Sequence, residues 1–157
     1  MLASLPQTMD KESAPPEHKI SFIFGREEIF QKVADDLNEA KKEAKFIVLG
    51  LPIGISPELL LTQKNAVGRG VPVQIIVQEY TKENQKTLRS WKMQGLDVRH
   101  GKPIGFHLLL IDEAISYLMY YDPQEKTKRY AVRIVHPAIN SELRALFNTH
   151  WRMAKPL

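Results

Sequence analysis

No cysteine occurs in the 157 residues, which excludes disulfides, thiol nucleophiles and cysteine-ligated zinc or iron–sulfur centres. The five histidines, His18, His100, His107, His136 and His150, are dispersed and form no HExxH or other close pair, so neither a metal site nor a cofactor is expected. Nowhere do eighteen apolar residues run together, and the N-terminus MLASLPQTMDKESAPPEHK lacks a basic head followed by an apolar block. Neither a spanning helix nor a signal peptide is therefore expected, no membrane partner is implied, and the default compartment is cytoplasmic. Charge of one sign is not in large excess either. Twenty-two Lys and Arg face 18 Asp and Glu, and the net charge of +4 permits anionic partners without requiring them.

What remains has the proportions of one domain, with 43% hydrophobic and 25% charged residues over a length that can bury a core. Residues 1–17, with Pro6, Pro15 and Pro16 among polar residues, read as a flexible tail or linker, and residues 18–157 as the folded domain. KISFIF (19–24) reads as a strand feeding a helix with Ile29, Val33, Leu37 and Ala40 at helical spacing. KFIVLGL (45–51) and VPVQIIVQ (71–78) are short apolar runs of the kind buried on both sheet faces. Between them a helix starts at Ser56-Pro57 and stops at Gly68 or Gly70. A further helix over 81–95, carrying Leu88 and Trp91, precedes a short strand at 96–100. FHLLLID and AISYLMYY then form a hairpin turning at Asp112-Glu113, YAVRIV (130–135) adds a strand, and a terminal helix carries Ile139, Leu143, Leu146, Phe147, Trp151 and Met153. The expected fold is α/β, a mixed and largely parallel sheet of about six or seven strands flanked by helices.

Few residues stand out chemically. Gly68 and Gly70 follow a helix and precede a strand, the reverse of the order a phosphate loop needs, so they read as a helix stop. Lys86, Arg89, Lys92, Arg99 and Lys102 form one basic group, and Lys126, Lys128, Arg129 and Arg133 another. A solvated face is the ordinary explanation of both, and neither is interleaved with aromatic platforms. Phe147 and Trp151 read as core. Tyr117, Tyr120 and Tyr121 read as half core and half pocket rim.

The segments NEAKKEAKFIVLGL, LLTQKNAVGRGVPVQIIV, MQGLDVRHGKPIGFHLLLIDEAISYLMYYDP and LRALFNTHWRMA resemble one half of the phospholipase D superfamily fold. They are most similar to the phospholipase-D-like effector domain of TrmB-type transcriptional regulators. The superfamily motif HxKxxxxD supplies a histidine nucleophile, a phosphate-binding lysine and a supporting aspartate. Setting the aspartate on Asp112 puts Gly105 in the histidine slot and His107 in the lysine slot. Setting the histidine on His107 instead puts Leu109 and Ala114 in the other slots, a poorer match. Glycine offers neither nucleophile nor charge, so the resemblance implies a degenerate site.

Two readings of that stretch stay open. His107 is a sheet-end residue and Asp112 a hairpin-turn residue with structural roles only. Alternatively the old phosphate pocket persists as a ligand pocket, with Lys102, Gly105, His107, Asp112 and Ser116 around a small polar ligand such as a sugar or metabolite, walled by Ile104, Phe106 and Tyr117 and bordered by the loops after Gly50 and Gln78. The functional expectation is a non-catalytic ligand-sensing and dimerisation domain, a homodimer covered along AISYLMYY, touching DNA only through an attached winged-helix domain not present in this chain. A divergent phosphodiesterase or nuclease, and an adaptor binding protein, anionic membrane or nucleic acid through its basic groups, are the alternatives.

Overall fold

The computed structural model describes residues 19–49, 57–121, 124 and 128–157. The expected tail, the Ser56 cap, the loop after Gly50 and Lys126 lie outside them. The elements, in chain order, are β1 (Lys19–Phe24), α1 (Arg26–Glu39), β2 (Ala44–Val48), α2 (Pro57–Gly68), β3 (Val73–Val77), α3 (Gln85–Met93), β4 (Asp97–His100), β5 (His107–Ile111), β6 (Ile115–Tyr121), β7 (Arg129–Val135), α4 (Pro137–Met153) and β8 (Lys155–Pro156).

All eight strands join one sheet in the order β1-β7-β6-β5-β2-β3-β4-β8. The mixed α/β architecture matches the expectation, but the largely parallel sheet does not. Only β2–β3 and β3–β4 pair in parallel, and the other neighbours run antiparallel. The two strand–helix–strand crossovers supply the parallel part. After β4 the chain returns to the other side of β2, where β5 lies antiparallel and the hairpins β5–β6 and β6–β7 follow. The alternation β1–α1–β2 looks like a third crossover, yet β1 pairs with β7 at the far edge.

Helices α1, α2 and α3 cover one face, where Ile29, Val33, Leu37, Leu59, Leu88 and Trp91 pack on Phe46, Ile75, Leu109 and Tyr117. Helix α4 covers the other, where Phe147 meets Ile47, Ile76, Leu108 and Leu110. Phe147 and Trp151 stack at 5.8 Å between centroids, the core role expected of them. Coverage by α4 stops short of the β1 edge. Ile20, Phe22 and Phe24 are 64–70% exposed there, with Phe24 edge-on to Tyr130.

The hairpin turn falls where expected, at Asp112. Asp112 adopts φ +53°, a left-handed conformation that aspartate tolerates better than most residues. The antiparallel register then fixes two opposite sheet ends. Val48, Val77, His107 and Tyr121 lie at one; Ala44, Val73, Ile111 and Ile115 lie at the other, beside the turn.

Candidate functional site

At the end where β2 and β3 finish and β5 begins, a cavity of about 180 Å³ opens between the strand ends and residues 103–107. Leu49, Gln78, Pro103, Gly105, Phe106, His107, Met119 and Tyr120 line it. The segment that closes it is held by Gln78, a buried residue just past β3. Its Oε1 accepts from Ile104 N at 2.5 Å, and its Nε2 donates to the Phe106 carbonyl at 3.2 Å. One amide side chain thus fixes both a donor and an acceptor of the loop. Sequence reasoning placed a loop after Gln78 but missed this role, because a glutamine ending an apolar strand carries no distinctive pattern.

His107 starts β5 on the face that carries Leu109 and Ile111, paired with Met119 across the hairpin. Burial, and secondarily the positive charge of Arg129, push its imidazole down from 6.5 to about 4, so it is neutral at physiological pH. Arg129 is itself buried and lies 5.4 Å from the centre of the Phe30 ring. Gly105 has φ +86°, and a Cβ there would meet nothing within 4 Å. The nucleophile slot is therefore open space above a backbone conformation that a histidine would strain by about 1–2 kcal/mol.

The other expected site residues do not converge here. Asp112 sits at the opposite end of β5, roughly 16 Å away by strand rise. Its carboxylate accepts from the backbone N–H groups of Lys41, Lys42 and Glu43 at 2.8–3.2 Å, closing the chain after α1. Ser116 is fully buried on the α4 face, where its Oγ accepts from Asn140 Nδ2 at 3.3 Å. Lys102 is exposed and does not line the cavity. Of the expected wall only Phe106 is in place. Ile104 packs towards the α4 core, and Tyr117 is buried under α1. Tyr120 does line the cavity, so of the tyrosine cluster Tyr117 belongs to the core and Tyr120 to the rim, and the Tyr121 side chain lies outside the described residues.

In the second basic group Lys128 is exposed, whereas Arg129 and Arg133 turn inward. Arg133 grips Asp36 of α1 through Nε and an Nη at 2.8 and 2.9 Å, and the Tyr117 hydroxyl donates to the same carboxylate. Burial, reinforced by Asp36, raises the Tyr117 phenol, and the bond to Asp36 raises Arg133. This triad locks α1 onto β6 and β7. The first group fares differently: Lys86, Arg89 and Lys92 are exposed along α3, while Arg99 stacks 4.1 Å over Trp151. Among the described residues no group of three or more His, Asp or Glu stands placed to hold a metal ion. Nor is any described helix long and apolar enough to cross a membrane.

Comparison with known proteins places this architecture. The family described as "Transcriptional regulator TrmB, EBD N-terminal subdomain" matches residues 19–157. No curated protein matches the chain with significance. Among solved structures it is similar to TrmBL2, described as an archaeal chromatin protein with a novel mode of DNA binding, at 20% identity and a TM-score of 0.70. That match covers 99% of this chain and 60% of the other, so the chain spans under two thirds of that protein's length. Nuc of Salmonella typhimurium, a phospholipase D family member, aligns at 14% identity and a TM-score of 0.73, covering 89% of this chain and 98% of Nuc. NucT from Helicobacter pylori aligns at 12% identity and a TM-score of 0.72, covering 89% and 99%. At these identities the likeness to the solved structures establishes a phospholipase-D-like fold.

Proposed function

The chain belongs to the TrmB regulator family, as the N-terminal subdomain of its effector-binding domain, and from that premise we propose that it senses a small molecule without catalysing a reaction. The observation that carries this reading is the state of the motif end: glycine in the nucleophile slot, a half-buried, neutral histidine in the lysine slot, and the loop that carries the glycine fastened by Gln78. Phosphodiester cleavage through the superfamily's route needs a nucleophile at phosphorus and a cation on its oxygens. Gly105 supplies no nucleophile, and His107 supplies no cation at neutral pH. What persists is a cavity at strand ends, a place where α/β folds commonly hold ligands.

A ligand would act by favouring one arrangement of the domain or its assembly over another. The assembly we propose is a homodimer. The strand AISYLMYY, the surface expected to be covered, is an interior strand with Tyr117 and Ser116 fully buried. Three exposed apolar residues lie together on β1 instead, with Tyr120 and Tyr130 beside them, so Ile20, Phe22 and Phe24 support a seam along that edge. Contact with DNA would come through further domains of the regulator.

Hydrolysis of bis-p-nitrophenyl phosphate tests the non-catalytic reading. No turnover above background is expected, and turnover that disappears in His107→Ala would overturn it.

A further inference from the structure

We propose that the exposed face of α3 is a sequence-independent contact for the phosphate backbone of duplex DNA, made by Lys86, Arg89 and Lys92 together with Lys82 in the turn before them. This surface shares no residue with the cavity lining, and it would add to the DNA contact made by further domains of the regulator.

Charge is sorted over the helical layer of the domain. Along α1 five carboxylates meet two cations, whereas from Lys82 to Lys102 six cations meet two carboxylates, Glu83 and Asp97. A face whose charges serve solubility alone mixes both signs, and a field of one sign draws in a partner of the other. The fold then decides which way these cations point. Leu88 and Trp91 turn into the core, at 0% and 2% exposure, and Lys86, Arg89 and Lys92 are left outward. They recur every third residue, a rise of about 4.5 Å each, and so form a stripe along the helix. Elsewhere cations are committed: Arg133 to Asp36, Lys42 to Glu113 and Lys45 to Glu43. Among the described residues no ion pair or hydrogen bond holds the side chains of Lys82, Lys86, Arg89 or Lys92, so taking up a phosphate breaks no internal bond.

The same helix disfavours other polyanions. An anionic membrane takes up an amphipathic helix by its apolar side, and that side of α3 is packed against the sheet. A single strand stacks its bases on exposed aromatic rings, and the one aromatic residue of α3, Trp91, is buried. Duplex DNA asks for neither. It presents one charge per about 1.7 Å of axis and binds cations by releasing its condensed counterions. In a family of transcriptional regulators it is also the polyanion at hand.

Fluorescence anisotropy of a labelled duplex of about 20 base pairs, titrated with the full chain between about 50 and 200 mM salt, tests the contact. Binding is expected with a Kd of about 10⁻⁴ M or tighter at the lower salt, alike for two unrelated sequences, and log Kd should rise with log salt at a slope of about 3. Arg89→Ala should flatten that slope by about 0.9 and weaken both sequences equally. Lys32→Ala, which removes the same charge from α1, should change neither. Arg89 and Lys32 are both exposed, so either substitution leaves the core intact. Absence of saturable binding at low salt, or an Arg89→Ala variant that keeps the wild-type slope, would overturn the proposal. Tighter binding to phosphatidylserine vesicles or to a single strand than to the duplex would overturn it equally.

Discussion

Replacing Asp112 with alanine removes two things at once, and the structure allows them to be separated. The first is a carboxylate that accepts from three consecutive backbone N–H groups, at Lys41, Lys42 and Glu43. Hydrogen bonds to a charged group contribute about 1.5–3 kcal/mol, and the partial exposure of this turn favours the lower half of that range. The second is tolerance of φ +53°, which costs an alanine about 1–2 kcal/mol. Asp112→Ala should therefore lose about 3 kcal/mol, on the order of 10 °C in Tm for a domain of this size. Asp112→Gly keeps the backbone and loses only the carboxylate, about 2 kcal/mol, and Asp112→Asn keeps one acceptor oxygen and tolerance of the turn, about 1 kcal/mol. Urea unfolding followed by circular dichroism gives the three values. An alanine variant within about 0.5 kcal/mol of wild type, or a glycine variant as damaged as the alanine one, would refute the account.

His107 makes stability depend on pH. The fold holds it near 4 against 6.5 for an unperturbed histidine, so on acidification the unfolded chain binds the proton first, and the contribution of the neutral imidazole, complete above 6.5, is lost as pH falls towards 4. Between pH 7.5 and pH 5 the loss should be about 2 kcal/mol, visible as a slope in unfolding free energy that His107→Leu lacks; parallel curves for the two proteins would contradict it. Phe22→Glu, on the exposed edge strand, should shift sedimentation equilibrium from dimer to monomer with little change in unfolding free energy, and a wild-type chain that is monomeric at tens of micromolar would remove the dimer seam.

Much of the element order was legible because period and punctuation carry it. The β5–β6 hairpin follows from two apolar runs meeting at Asp112, and α3 follows from Leu88 and Trp91 with Gly95 behind them. Strand neighbours are not written in that code. KISFIF has the same pattern whether it lies beside β2 or β7, so the edge position of β1 and the antiparallel majority were hidden. The site was hidden for a related reason. ISYLMYY is apolar on both faces because helices cover both, and alternation alone does not say that Ser116 turns to α4 while Tyr117 turns to α1. Spacing placed Gly105, His107 and Asp112 in one motif, but the strand between them carries Asp112 to the other end of the sheet. The burial of Arg129 and Arg133 depended on partners in α1, Phe30 and Asp36, which no local window contains.

The pairing of β1 with β7 has a consequence for how the chain is made. Lys19–Phe24 leaves the ribosome before its sheet partner Arg129–Val135, and five other strands are made between them. During translation the first strand is therefore an orphan, with Ile20, Phe22 and Phe24 on one side and an unpaired backbone on both edges, the combination that invites capture by another nascent chain. Closing so long a loop is slow, and the segment from β2 to β6, whose pairings are nearer in sequence, can assemble first. The docking of β1 onto the later β6–β7 hairpin then comes after that segment has formed, and until it does the apolar face of β1 is open to other chains.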